Sequence, residues 1–150
     1  MPIKEFATLH DVGLATLPEF SEFLEDPQHI RGLTTGFHKL DLMFDGFRPS
    51  RFYLLGARPS MGKSQVALYM AENAARKGAK VAIASLEMSA QMLMERMAFT
   101  GANVDRFLAR LKGLELTTID LLHGEYDRVS SLPIVVDDTP ATTTTKLLTK

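Results

Sequence analysis

Residues Phe52 to Ser64, FYLLGARPSMGKS, have the types and spacing needed to hold a phosphate chain. A short apolar run, Phe52 to Leu55, leads into a loop containing Gly56, Pro59 and Gly62. The loop ends in Lys63-Ser64, and a helical pattern follows at once. Backbone N–H groups of such a loop can curl around oxyanions, a helix N-terminus adds its positive dipole end, and a lysine adds full charge. The Ser64 hydroxyl is placed to ligate the magnesium that travels with a nucleoside triphosphate. The expected binding residues are Ala57, Arg58, Pro59, Ser60, Met61, Gly62, Lys63 and Ser64.

The consensus for this cradle is G-x-x-x-x-G-K-[ST]. Counting back from Gly62 puts Ala57 at its first position, with Gly56 one place early. Alanine is tolerable there if the backbone avoids positive φ. The competing reading is a surface turn with an ordinary solvated lysine. A strand-like run before the loop and a helix after it favour the phosphate reading.

Periodicity predicts the elements that position this loop. Ala67, Met70, Ala71 and Ala74 mark a helix over 65–76, with Gly78 as its stop. Lys80 to Leu86 reads as a second, largely buried strand. Ser89 can cap a helix to about Phe99, whose Met92, Met94 and Met97 read as core filler. Asn103 is expected to cap a helix carrying Val104, Phe107, Leu108 and Leu111 on one face. Another follows Thr118, with Ile119, Leu122, Tyr126 and Val129 at helical spacing and Gly124 against it. Pro133 to Val136 is a third strand, and a last helix is expected from Pro140, against the β-branched run Thr142 to Thr145.

This order predicts an α/β fold with a parallel sheet flanked by helices and right-handed crossovers. Ligands in such sheets sit beyond the carboxyl ends of the strands. The loop leaves the first strand and Glu87 leaves the second, so parallel strands would bring both to one edge. Residues 1–31 stand apart. They are acidic (Glu19, Glu22, Glu25, Asp26), and Phe20, Phe23 and Leu24 recur at helix-like intervals. A short amphipathic helix is expected from Pro18 to Glu25, ended before Pro27. Its apolar face must be covered, by its own domain or by a neighbouring subunit, and the sequence leaves both open.

Bulk properties narrow the function classes. The 150 residues are about one domain. With 17 basic and 18 acidic residues the net charge is −1, so nothing global calls for nucleic acid or a membrane surface. Zero cysteines remove disulfides and thiolate metal sites. No apolar run approaches the ~20 residues of a membrane span, and no signal-peptide pattern opens the chain, which points to the cytoplasm. His10, His29, His38 and His123 are scattered without metal-ligand spacing.

The cradle ARPSMGKS together with SLEMS (Ser85 to Ser89) resembles the motor domain of hexameric bacterial and phage replicative DNA helicases of the DnaB type. TTGFHKLD (Thr34 to Asp41) resembles the opening of that family's RecA-like core. AENAARKGAKVAIASLEMSA (Ala71 to Ala90) runs on without a gap, and LPIVVDDTP (Leu132 to Pro140) resembles the family's next strand and its exit. The resemblance implies a RecA-like P-loop NTPase core over 32–150 and a linker or arm over 1–31. Because the family's motor extends further, it also implies that this core is truncated.

The same resemblance assigns roles. Lys63 would hold the β- and γ-phosphates of ATP, Ser64 would ligate Mg2+, and Glu87 would be the general base. A carboxylate near the γ-phosphate but not bound to it is what hydrolysis needs. Otherwise Glu87 is a solvated acid or a partner for a nearby lysine. Asp137 and Asp138 end an apolar strand as a magnesium-binding aspartate would. In the family that strand lies later, so both are expected to cap a turn before Thr139-Pro140. The implied function is the ATP-binding portion of a helicase motor, hexameric when complete. It would act on single-stranded DNA, with a helicase loader or primase as further partner. The alternatives are a module that binds nucleotide or partner without hydrolysis, and a RecA-type recombination or repair ATPase.

Overall fold

The computed structural model describes residues 7–140. The helix expected from Pro140 falls on 141–150, outside the described residues.

The first helix, α1 (Leu9–Glu25), begins well before Pro18. A reciprocal capping box explains the early start. Thr8 Oγ1 accepts from the Asp11 amide at 3.2 Å, and Asp11 Oδ2 accepts from the Thr8 amide at 3.3 Å. Pro18 therefore sits inside the helix rather than at its first turn. The end at Glu25 is as expected, with Asp26 Oδ1 accepting from the Gln28 amide before the chain turns. No residue of α1 is buried, and Phe20, Phe23 and Leu24 all face solvent. Ion pairs tether the helix: Glu19 Oε2 meets Arg48 at 3.1 Å and Arg31 at 3.4 Å.

Next comes α2 (His38–Phe44), closed by Asp45 in the left-handed region and flanked by an antiparallel bridge between Leu33 and Phe47. Residues 51–58 then form no strand, contrary to the expectation for Phe52 to Leu55. A strand requires a laddered neighbour. Here β1 (Val81–Ala84) and β2 (Ile134–Asp137) ladder with each other, parallel, with Val81 opposite Ile134 and Ala84 opposite Asp137. Leu55 and β1 line one cavity of about 590 Å³ and do not ladder. Phe52 and Leu54 remain 89% and 86% exposed, the values of an unpaired run.

Between these elements lie α3 (Lys63–Arg76), α4 (Ala90–Gly101), α5 (Arg106–Lys112) and α6 (Leu116–Ser130). Gly78 follows the C-cap of α3 with φ +88, the left-handed stop that the sequence predicts. Ser89 caps α4 through the Met92 amide. Asn103 does not cap α5. It adopts φ +54, and Asp105 caps instead through the Phe107 and Leu108 amides. Asn tolerates the left-handed region well enough to serve as the turn residue.

The core joins Leu68 of α3, Leu93 and Met97 of α4 and Val129 of α6, with Ile83 and Ile134 of the sheet packed against them. Met94 joins its edge, whereas Met92 is exposed. Only one face of β1 is covered: Val81 and Ile83 are half-buried, Ala82 and Ala84 exposed. This strand is less buried than its composition predicts, because nothing among the described residues covers its second face. Arg128 locks α6 to α3, reaching Glu125 at 2.5 Å and Glu72 at 2.8 Å.

Candidate phosphate-binding site

The loop meets α3 at Gly62, whose φ of 81° and ψ of 17° are left-handed. A Cβ there would meet nothing within 4 Å, so glycine is needed for its backbone freedom rather than for space. Gly62 O accepts the Val66 amide at 3.0 Å, which starts the helix. No side chain caps this N-terminus. Its first amides thus have no side-chain acceptor and suit an anion. Upstream, the Met61 amide reaches Arg58 O at 3.3 Å, and Ser60 sits at φ 64. Ala57 is not among the positive-φ residues, which satisfies the condition for alanine in place of the consensus glycine.

The Thr34-Thr35-Gly36 segment docks on α3. Asp41, 2% exposed, accepts from Thr34 Oγ1 at 2.6 Å and from the Thr35 amide at 2.8 Å. Burial pushes this carboxyl up, but the hydrogen bonds from Thr34 and Thr35, with a smaller attraction from His38, outweigh it and hold it below the usual range. Gly36 has φ +84, and a Cβ would collide with Asn73 and Tyr69 of α3. The Phe37 and Tyr69 rings pack with centroids 4.9 Å apart and planes tilted by 50°.

Glu87 projects from the turn after β1. Ser85 builds that turn, donating through Oγ to Met88 O at 2.6 Å while Oγ accepts the Met88 amide at 3.1 Å. The Ser85 amide extends the β1–β2 ladder to Asp137 O at 2.8 Å. Glu87 is exposed and makes no ion pair among the described residues. It lines a pocket of about 340 Å³ with residues 57–60, Gly62, Lys63 and Ser64. Met61, expected among the binding residues, does not line it and is 69% exposed. Arg96 of α4 also lines the pocket, and neither motif nor periodicity marks it. Arg58, Lys63 and Arg96 thus face a single carboxylate, a balance that suits a polyanion.

The two aspartates divide their work. Asp137 Oδ1 accepts from the Thr139 amide at 3.1 Å and hydroxyl at 2.6 Å, the expected turn cap. Asp138 instead reaches across to α4, where its Oδ2 accepts the Ala90 amide at 2.8 Å. That tie was not legible locally, because its partners are 48 positions apart.

The profile of the DnaB-like helicase C-terminal domain matches residues 32–150. The replicative DNA helicase DnaB of Nostoc sp. is 37% identical over 85% of this chain and 15% of its own length. That of Geobacillus stearothermophilus is 36% identical over 91% of this chain and 30% of its own. The chain therefore spans under a third of these curated relatives. Among solved structures, one ATPase domain superposes with a TM-score of 0.80 at 26% identity, covering 92% of this chain and 49% of that one. A DnaB-like replicative helicase studied with primase superposes at 0.81 over 99% of this chain and 35% of that one, at 24% identity.

Proposed function

This chain belongs to the DnaB-like helicase C-terminal domain family, and from that premise we propose that it is the ATP-binding portion of a motor that couples hydrolysis to DNA unwinding. The observation that carries the reading is the pocket at the start of α3, which an uncapped helix N-terminus, Lys63 and Glu87 line together. Amides of the loop and the Lys63 ammonium hold the β- and γ-phosphates. Mg2+, arriving with the triphosphate, would be held by the Ser64 hydroxyl and would neutralise phosphate charge. Glu87 takes a proton from a water, whose oxygen bonds to the γ-phosphorus as the bond to the bridging oxygen breaks, leaving ADP and phosphate.

The core of 32–150 is read as part of a RecA-like ATPase, and 1–31 as an arm. The exposed apolar residues of α1 support the arm, since such a face demands a partner. In the complete cytoplasmic protein we expect a homo-hexamer on single-stranded DNA, with primase or a loader as further partner. The relatives' names, replicative DNA helicases, support action on DNA, and a helicase of similar fold that interacts with primase supports that partner. Among the described residues, no helix is long and apolar enough to cross a membrane.

A second reading, nucleotide binding without turnover, is favoured by one observation: Glu87 is the sole carboxylate lining the pocket among the described residues. Phosphate release with and without single-stranded DNA separates the two. DNA-stimulated release supports the motor. Saturable ATP binding with release no faster than in Lys63→Ala supports the binding module.

A further inference from the structure

Arg48, Arg96 and Arg128 are the half-buried arginines among the described residues. Arg48 engages Glu19 and Asp45, and Arg128 engages Glu72 and Glu125. Arg96 engages no carboxylate among the described residues, which leaves its guanidinium available to a ligand anion. Its neighbour Glu95 is turned aside to Arg106 at 2.6 Å.

The fold aims Arg96 at the phosphate cradle. Leu93 and Met97 define the core stripe of α4, which leaves Arg96 and Thr100, one turn apart, on another. Thr100 Oγ1 accepts from Gln65 Nε2 at 2.9 Å, and Gln65 lies in the first turn of α3 beside Lys63 and Ser64. The stripe that carries Arg96 therefore runs along the start of the cradle helix. Arg96 lines the same pocket as Glu87, the residue expected beside the outer end of the triphosphate.

We propose that Arg96 binds the terminal phosphate of the nucleotide from the α4 side and so selects triphosphate over diphosphate. The inference rests on the phosphate reading of the loop. Its physics is a charge-assisted bond to oxygens that ADP does not carry. The guanidinium stays on the nucleotide's own subunit and adds to the charge that the Lys63 ammonium brings to the same pocket.

Binding of ATP, ADP and AMP with magnesium to Arg96→Ala, Arg96→Gln and Arg96→Lys tests it, with Arg110→Ala as a charge-deletion control outside the pocket. Arg96→Ala and Arg96→Gln should weaken ATP about tenfold or more while ADP shifts about twofold or less. Arg96→Lys should recover part of the loss, and Arg110→Ala should match wild type. Circular dichroism identifies a variant that fails to fold, and the Gln and Lys forms, which keep an extended polar side chain, then carry the comparison. Equal losses for ATP and ADP, or no loss, would overturn the role of Arg96 and leave the loop reading standing. A wild-type chain that binds neither nucleotide would overturn both.

Discussion

Asp138 accepts the Ala90 amide at 2.8 Å, so the exit of β2 grips the first residue of α4. An anion at a helix N-terminus is favourable, and this one also borders the Ser85–Ser89 turn that presents Glu87. Asp138→Ala should cost about 0.5–1.5 kcal/mol in urea denaturation. Asp138→Asn keeps an acceptor and should cost less. Equal stability for both variants and wild type would show the bond to be idle.

Asp41 and Asp45 make stability depend on acid. At Asp45 burial raises the carboxyl, and the Arg31 amide, the Arg31 charge and side chain, and the Arg48 charge together lower it further. Both groups are depressed, so their contribution is complete above the unfolded value of about 3.9 and is lost as pH falls through the lower folded values. The urea midpoint should be steady from neutral pH to about 4 and fall below that. Asp41→Ala strands the buried Thr35 amide and should cost about 1–3 kcal/mol at pH 7. A midpoint that rises on acidification would contradict the hydrogen-bonded carboxylate.

Glu19 is half of the tether that holds α1 to Arg31 and Arg48, yet it is exposed. Such pairs contribute little to global stability, about 0–1 kcal/mol. Glu19→Ala should therefore leave the unfolding midpoint nearly unchanged while proteolysis within α1 speeds up severalfold. A large global loss with unaltered proteolysis would mean that α1 belongs to the cooperative core.

Glu87→Gln should bind ATP within about twofold of wild type and lose phosphate release by roughly 10²–10⁴-fold. Retained turnover would dismiss the residue as the base.

Much of this was readable from local chemistry. The loop and the helices after Gly62 and Ser89 follow from spacing and caps that act over a few residues. What escaped depended on remote partners or on a choice between neighbouring cap residues. Phe52 to Leu55 has strand composition, but composition cannot supply the neighbour that a ladder needs. Pro18 looks like a helix start, and the Thr8–Asp11 capping box overrides it. Asn103 and Asp105 are both good caps, and the chain uses one for the turn and the other for the cap. Arg96 carries no motif, and the remote Gln65–Thr100 contact that helps place its stripe beside the cradle spans 35 positions.

Calorimetric titration of the chain with ATP and magnesium, beside Lys63→Ala, tests the central claim most directly. Amides at the start of α3 and the Lys63 ammonium should give saturable binding at or below about 1 mM, weakened about tenfold or more in the variant. Absence of binding at millimolar ATP in a folded protein, or equal affinity in Lys63→Ala, would contradict it.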